Sequence, residues 1–433
     1  MTEDLQPAPG ENVPGTIEKA LSINLDPLKY GTIVEIGAGQ EVARWFFQAG
    51  AAAGTVAKTM SAYDMKFSDE IYGTVAGGRY VSRPRLERML EQQYDLIISR
   101  IEEHRPDESR FFAFANTVAA QGFKKRSECH GWLGVRLQAE PQGEPDDIIL
   151  HVRMLDDTNL EQQEALGILG VNLIYGAYTY TDDPERLLRS LMDNLKWGRV
   201  EIDLVEFRGP VLGQADNARM ALELVKASLT RAVLFNPEGD VMIPAEALYK
   251  KSVLGMRGDF QALLDEERAR FAHARDIFCA ETGCAEDETL FLAEMTMAEG
   301  ANIGDIDTAD FLSRVRWLND ARYYVLISEF FRYFRVRQYF ARYTEKPVGI
   351  VTDVRGFEHI MGEEFYDGLD GGILEGLGKL FPPGTTAYVY PGAGADRNVG
   401  FDGHKVAPHL KPLVEYLRER RQVVPVDEFE FSA

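Results

Sequence analysis

Hydrophobic positions along this chain fall by turns into helix-like and strand-like periods. Residues 16–24 read as a short helix. Residues 30–36 (YGTIVEI) form a β-rich run that ends on Gly37-Ala38-Gly39-Gln40. From Glu41 onward Val42, Trp45, Phe46 and Ala49 recur at helix spacing, so the pattern predicts a strand, a glycine turn and a helix, the opening of a βα unit. Residues 83–103 predict an amphipathic helix with Leu86, Met89, Leu90, Ile97 and Ile101 on its apolar stripe. Strand-like runs follow at 110–117, 131–138 and 147–154. The first two are joined by a polar loop containing Lys124-Lys125-Arg126, and a Pro/Gly/Glu segment at 140–145 reads as a boundary before the third. Beyond it the pattern predicts helices at 159–175, 184–195 and 216–228 and strands at 199–207 and 233–235. Further helices are expected at 259–278, 289–298, 308–318, 327–343, 372–380 and 410–421, and strands at 348–354, 387–390 and 423–426. Alternation of this kind argues for a parallel or mixed sheet covered by helices. The expected class is α/β, with mixed α+β open, built from Rossmann-like βα units with a helical insertion. The expected division is a disordered tail at 1–15, an α/β region at 16–145, a second at 146–258, the helical insertion at 259–320 and a last α/β region at 321–433.

Composition narrows the setting. The chain has 433 residues, 45% hydrophobic and 27% charged, enough to bury a core. Its net charge is −22, from 69 acidic and 47 basic residues. An acidic surface opposes the approach of phosphate backbones and anionic lipid, so neither nucleic acid nor membrane is an expected partner. Cys129, Cys279 and Cys284 are too few and too irregular for a disulfide framework or a zinc site. The N-terminal MTEDLQPAPGENVPG lacks the basic and apolar regions of a signal peptide, and no apolar run reaches the roughly 18–20 residues of a membrane span. A cytoplasmic protein is the expectation.

Candidate chemistry gathers in a few places. Glu35-Ile36-Gly37-Ala38-Gly39 could bring backbone N–H groups to an anion at a helix N-terminus, with Gln40 beside it, or could be a structural tight turn. The third glycine of a dinucleotide fingerprint is absent, since position 42 is Val42. Lys58, Ser61, Tyr63, Asp64, Ser68 and Asp69 form a polar run that suits either acid–base work or a solvated loop. His130 and His151 sit in or beside strand-like runs. His151 shares a face with Arg153, and that strand leads to Asp156, Asp157 and Asn159, where ligands of open α/β sheets collect. The expected ligand-binding residues are therefore Gly37, Gly39, Gln40, Lys58, Asp64, His151, Arg153, Asp156 and Asn159. In the helix expected at 327–343, Arg332, Arg335, Tyr339 and Arg342 form a stripe opposite Ile327, Phe330, Phe331, Phe334 and Ala341, with residue types enriched at protein interfaces. No metal, phosphate-loop or nucleophile-elbow motif occurs, so no metal is expected and the cofactor stays open.

The segments YGTIVEIGAGQEVARWFFQAG, GTVAKTMSAYDM, DIILHVRMLDDTNLEQQEALGILGVNLIYGAY and GGILEGLGKLF resemble an uncharacterised family of bacterial cytosolic proteins, common in cyanobacteria, over residues 21–391. Members carry the labels TonB-dependent receptor or nicotinate-nucleotide adenylyltransferase. The residues support neither, since the chain reads as rich in helix and none of its seven histidines stands in a His-x-Gly-His motif. Two functional classes follow: a protein binding a nucleotide or other small anionic ligand, with or without catalysis, and a non-catalytic, self-assembling scaffold. A homo-oligomer is expected in either case.

Overall fold

The computed structural model describes residues 13–37, 39–75, 78–122, 129–261, 265–297, 306–391 and 400–426. The basic run 124–126 and most of the tail lie outside them. The chain divides into two units, Met1–Thr230 and Arg231–Ala433, each with its own sheet. Both are mixed α/β. Among the described residues no helix is long and apolar enough to cross a membrane.

The first unit comprises α1 (Thr16–Asn24), β1 (Lys29–Gly37), α2 (Val42–Ala49), β2 (Val56–Ala62), α3 (Met65–Tyr72), α4 (Arg83–Ile101), β3 (Arg110–Ala119), β4 (His130–Leu137), β5 (Asp146–Met154), α5 (Asn159–Thr179), α6 (Pro184–Ser190), β6 (Val200–Arg208) and α7 (Asn217–Lys226). The sheet order is β2-β1-β3-β4-β5-β6. β1 is parallel to β2 and β3, and β3 to β6 form an antiparallel meander. One face buries Phe112, Phe114, Leu133, Val135, Leu150 and Val152 with Val42 and Phe46 of α2 and with α5. α5 is buried without a break from Ala165 to Ile174, as expected of a core helix that is apolar all round. Its Gly170 permits that depth, because a Cβ there would stand 2.3 Å from Val42. α4 covers the other face, with Leu86 and Leu90 lying over Gly134. Several charged side chains are buried in this unit, Lys19 among them. Lys19, fully buried, donates to Asn172 Oδ1 at 2.9 Å and to Asp193 Oδ2 at 2.6 Å.

The second unit comprises β7 (Ala232–Phe235), β8 (Val241–Met242), α8 (Pro244–Ala247), β9 (Ser252–Arg257), α9 (Asp265–Thr282), β10 (Thr289–Thr296), α10 (Thr308–Asp320), β11 (Tyr324–Ser328), α11 (Tyr333–Phe340), β12 (Val348–Asp353), α12 (Val354–Ile360), α13 (Gly372–Leu380), β13 (Thr385–Tyr390), α14 (Lys411–Glu419) and β14 (Val423–Pro425). The order is β14-β13-β12-β9-β10-β11-β7-β8. The chain winds from β9 through β10 to β11, returns to the other side of β9 at β12, and continues outward to β14. That is the doubly wound arrangement, its reversal lying between β9 and β12. All six strands from β14 to β11 are parallel, while β7 and β8 extend the sheet antiparallel.

Several expectations differ from this architecture. The segment 140–145 is a hairpin connection, since β4 and β5 pair antiparallel directly across it. Its Pro and Gly are turn chemistry, which composition cannot tell from a linker. Residues 259–320 hold α9, β10 and α10, so they form one winding of the doubly wound sheet. Residues 327–343 do not form one helix. β11 uses Ile327 and Ser328, and α11 starts only at Tyr333. Tyr339 is buried against the rings of Phe330, Phe340 and Tyr343, while Arg335 and Arg342 are exposed and Arg332 is half-buried. The expected interface stripe is thereby split, and its aromatic member belongs to the core.

Candidate functional site

Strands β1, β3 and β5 point their carboxyl ends to one edge of the first sheet, where β4 and β6 begin. The order β2-β1-β3 makes this edge, between β1 and β3, the place where consecutive connections leave for opposite faces. Gly37, Gly39, Gln40, His151, Arg153, Asp156 and Asn159 all come to it. Lys58 and Asp64 have other duties. Lys58 donates to Gln93 of α4, and Asp64 caps α3 by accepting from Phe67 N at 2.8 Å.

The glycine turn is closed by the chain itself. Glu35, buried near the end of β1, accepts from the N–H groups of Val42 at 3.1 Å and Ala43 at 3.3 Å, so its carboxyl occupies the N-terminus of α2. Asn116 on β3 donates to Glu35 Oε1 at 3.3 Å and to the Gly39 carbonyl at 3.0 Å. A Cβ on Gly39 would stand 2.7 Å from that amide, so the glycine is needed for close approach of Asn116. Gly37 has φ of +79°, and Gln40 donates back to its carbonyl. Burial raises the Glu35 carboxyl to about 7, against the pull of the two backbone N–H groups and Asn116.

On the α4 face of the same edge stands a row of three ionisable side chains. His151 lies opposite Trp132 on β4. Toward β6 the register breaks: His151 pairs with Leu204 and Val152 with Ile202, leaving Asp203 as the extra residue of a bulge. A bulge re-aims a side chain, and here the Asp203 carboxylate meets His151 Nδ1 at 2.5 Å, with both residues buried. His151 Nε2 is 3.0 Å from Nδ1 of half-buried His130. The Trp132 ring lies 5.0 Å from the His151 ring and walls the row from the side.

The proton positions follow from the acceptor at one end. An ionised Asp203 can only accept, so His151 carries its proton on Nδ1. With His151 in its neutral form, Nε2 accepts from His130 Nδ1–H, which leaves the lone pair of His130 on Nε2. Burial, followed by the His151 ring and the charges of Arg153 and Arg79, lowers His130 to about 4, so it is neutral at physiological pH. In this arrangement a proton delivered to His130 Nε2 can be relayed from Nδ1 to His151 Nε2, whose ring lies against the Asp203 carboxylate. The row can thus receive a proton at the edge and store its charge inside.

The remaining expected residues frame this row. Arg153 lies opposite His130 and donates to Glu201 Oε2 at 3.0 Å. Asp156 accepts from Arg199 Nε at 2.8 Å, and Asn159 opens α5 and donates to the Gln121 carbonyl at 3.3 Å. Asp203 is the candidate site residue that sequence reasoning missed. Its signal was an acid set between the apolar Ile202 and Leu204 of a strand, where a buried carboxylate requires a partner.

No family model and no curated protein sequence matches the chain. Solved structures with partial similarity include a competence/damage-inducible protein, CihA, from Agrobacterium tumefaciens, at 18% identity over 38% of this chain and 96% of that one, with a TM-score of 0.27. A competence-damaged protein (CinA) superfamily member from Enterobacter cloacae is 12% identical over 41% of this chain and 100% of its own, with a TM-score of 0.29.

Proposed function

We propose that the carboxyl edge of the first sheet binds a small anionic molecule, a nucleotide or phosphorylated metabolite, and exchanges a proton with it at His130 Nε2. The observation that carries this reading is the Asp203–His151–His130 row, ending in a neutral imidazole that feels the charges of Arg79 and Arg153. Those cations favour an anion on the α4 face, whereas the N-terminus of α2 already holds Glu35. Ring-nitrogen NMR of the intact protein tests the row, with His151 expected as the Nδ1–H tautomer and His130 neutral down to pH 5. Thermal shift with AMP, NAD and glucose 6-phosphate tests the ligand. At 100 times its dissociation constant a ligand adds about 2.7 kcal/mol, and Arg79→Ala should lower that response. A His130 that titrates as a free imidazole, or a protein that responds to no phosphorylated compound, removes the reading.

Self-association is favoured by one separate feature. Tyr63, Met65 and Phe67, 77%, 58% and 58% exposed, are three large apolar side chains left open to solvent at the start of α3. Sedimentation of the wild type at tens of micromolar should give at least a dimer, and Phe67→Ser should shift it toward monomer.

A further inference from the structure

In the second unit, α11 lies over the face of the sheet formed by β9, β10 and β12. Beneath it is a cavity of about 30 Å³, walled by Leu292, Val336, Phe340 and Ile350 and floored by the backbone of Gly255 and Gly349. Its lining is almost wholly apolar apart from two arginines and an acid. Arg257 is already engaged, with a two-point pairing to Glu294 and further bonds to the carbonyls of Phe330 and Phe331. Arg337 is not. It is 8% exposed, its Nε donates to Thr385 Oγ1 at 2.8 Å, and its Nη1 is buried with no hydrogen-bond partner. No carboxylate stands within ion-pair distance of it among the described residues. A guanidinium retains its charge at any physiological pH, and a buried charge without a counter-ion is among the most costly arrangements a fold can hold.

We infer that the cavity under α11 is a binding site for a small carboxylate, which the guanidinium of Arg337, a lining residue, holds by charge-assisted hydrogen bonds. Three features select this chemistry. The free donors belong to a planar guanidinium, whose fork matches a carboxylate. The walls accept an apolar group and offer nothing to a hydrated dianion. The volume, with room for about two waters, fits a carboxylate head of acetate size, either as a whole molecule or as the end of a longer acid. This site is independent of the acid–base row in the first unit.

Calorimetric titration of the full-length protein with sodium acetate, sodium butyrate and inorganic phosphate at constant ionic strength tests the inference. Acetate should bind one to one. Arg337→Met should weaken it at least tenfold and raise the protein's own melting temperature by removing the uncompensated charge. A Cβ on Gly255 would meet nothing closer than 3.9 Å, so Gly255→Val should fold, narrow the cavity and weaken acetate while Arg337 stays in place. Butyrate binding tighter than acetate would identify the head of a longer acid, and acetate binding alone would identify the small ion. The inference is overturned if acetate gives no binding heat, if phosphate binds and acetate does not, or if acetate binds Gly255→Val as it binds the wild type. The last comparison decides the matter should Arg337→Met fail to fold.

Discussion

Glu35 and His130 stand at the same sheet edge and pull stability in opposite directions as pH changes. Glu35 holds its proton more tightly folded, at about 7, than a free carboxyl near 4.5. Its contribution is therefore complete below pH 4.5 and is lost as pH rises through 7. At about 1.4 kcal/mol per unit, the loss is on the order of 3 kcal/mol. His130, lowered to about 4 from 6.5, works the other way: its contribution is lost as pH falls from 6.5 toward 4. The two windows overlap, so the wild type should be nearly indifferent to pH between 4.5 and 6.5 as far as this pair is concerned. Glu35→Gln should make stability rise with pH over that range, and His130→Gln should make it fall. Urea unfolding at half-unit pH steps measures both slopes, and parallel curves for the two variants would refute the assignment. A second pair of substitutions isolates the buried charge at Lys19. Asp193→Ala leaves that ammonium without its carboxylate and should cost about 3–5 kcal/mol, whereas Lys19→Met should cost far less. Chemical denaturation gives both numbers.

At the scale of elements, the bulge in β6 and the choice between strand and helix decide what could be read in advance. The βα opening, α4, the three central strands of the first sheet and α5 were legible, because each carries a clean period over enough residues. β10 was not. TLFLAEMT is made largely of good helix formers, and it becomes a strand because β9 and β11 flank it in a parallel sheet buried on both faces. For the same reason β11 was absorbed into an over-long helix. His151 and Arg153 were legible as a strand-end pair. Asp203 was hidden, since its position depends on where the register breaks: continued from Leu204 it would stand opposite Val152 on the other face, and the break between His151 and Val152 brings it to His151. Close approach between elements gives a direct test. Gly39→Val must displace Asn116, and should destabilise the first unit by about 1–3 kcal/mol with or without ligand. If Gly39→Val instead abolishes a ligand response while leaving thermal stability unchanged, the turn is a binding element after all.

At the scale of the whole molecule, the acidic surface governs encounters. With a net charge of −22, the chain should give no gel shift with generic DNA at 0.15 M salt and low micromolar protein. A retarded band would locate a basic face strong enough to overcome the global field. Both sheets join strands that lie far apart along the chain. In the first unit every strand pairs with the strand just before or after it in sequence, and β1 pairs in addition with β3, where Lys29 stands opposite Arg110. In the second, β9 lies between β10 and β12, and β12 follows it by about 90 residues. A ribosome adding about 5–20 residues per second leaves one edge of that central strand without its neighbour for about 5–18 s. Throughout that interval the nascent second unit offers the apolar, half-paired strand on which chaperones and misassembly compete, while the first unit, already complete and clear of the tunnel, does not.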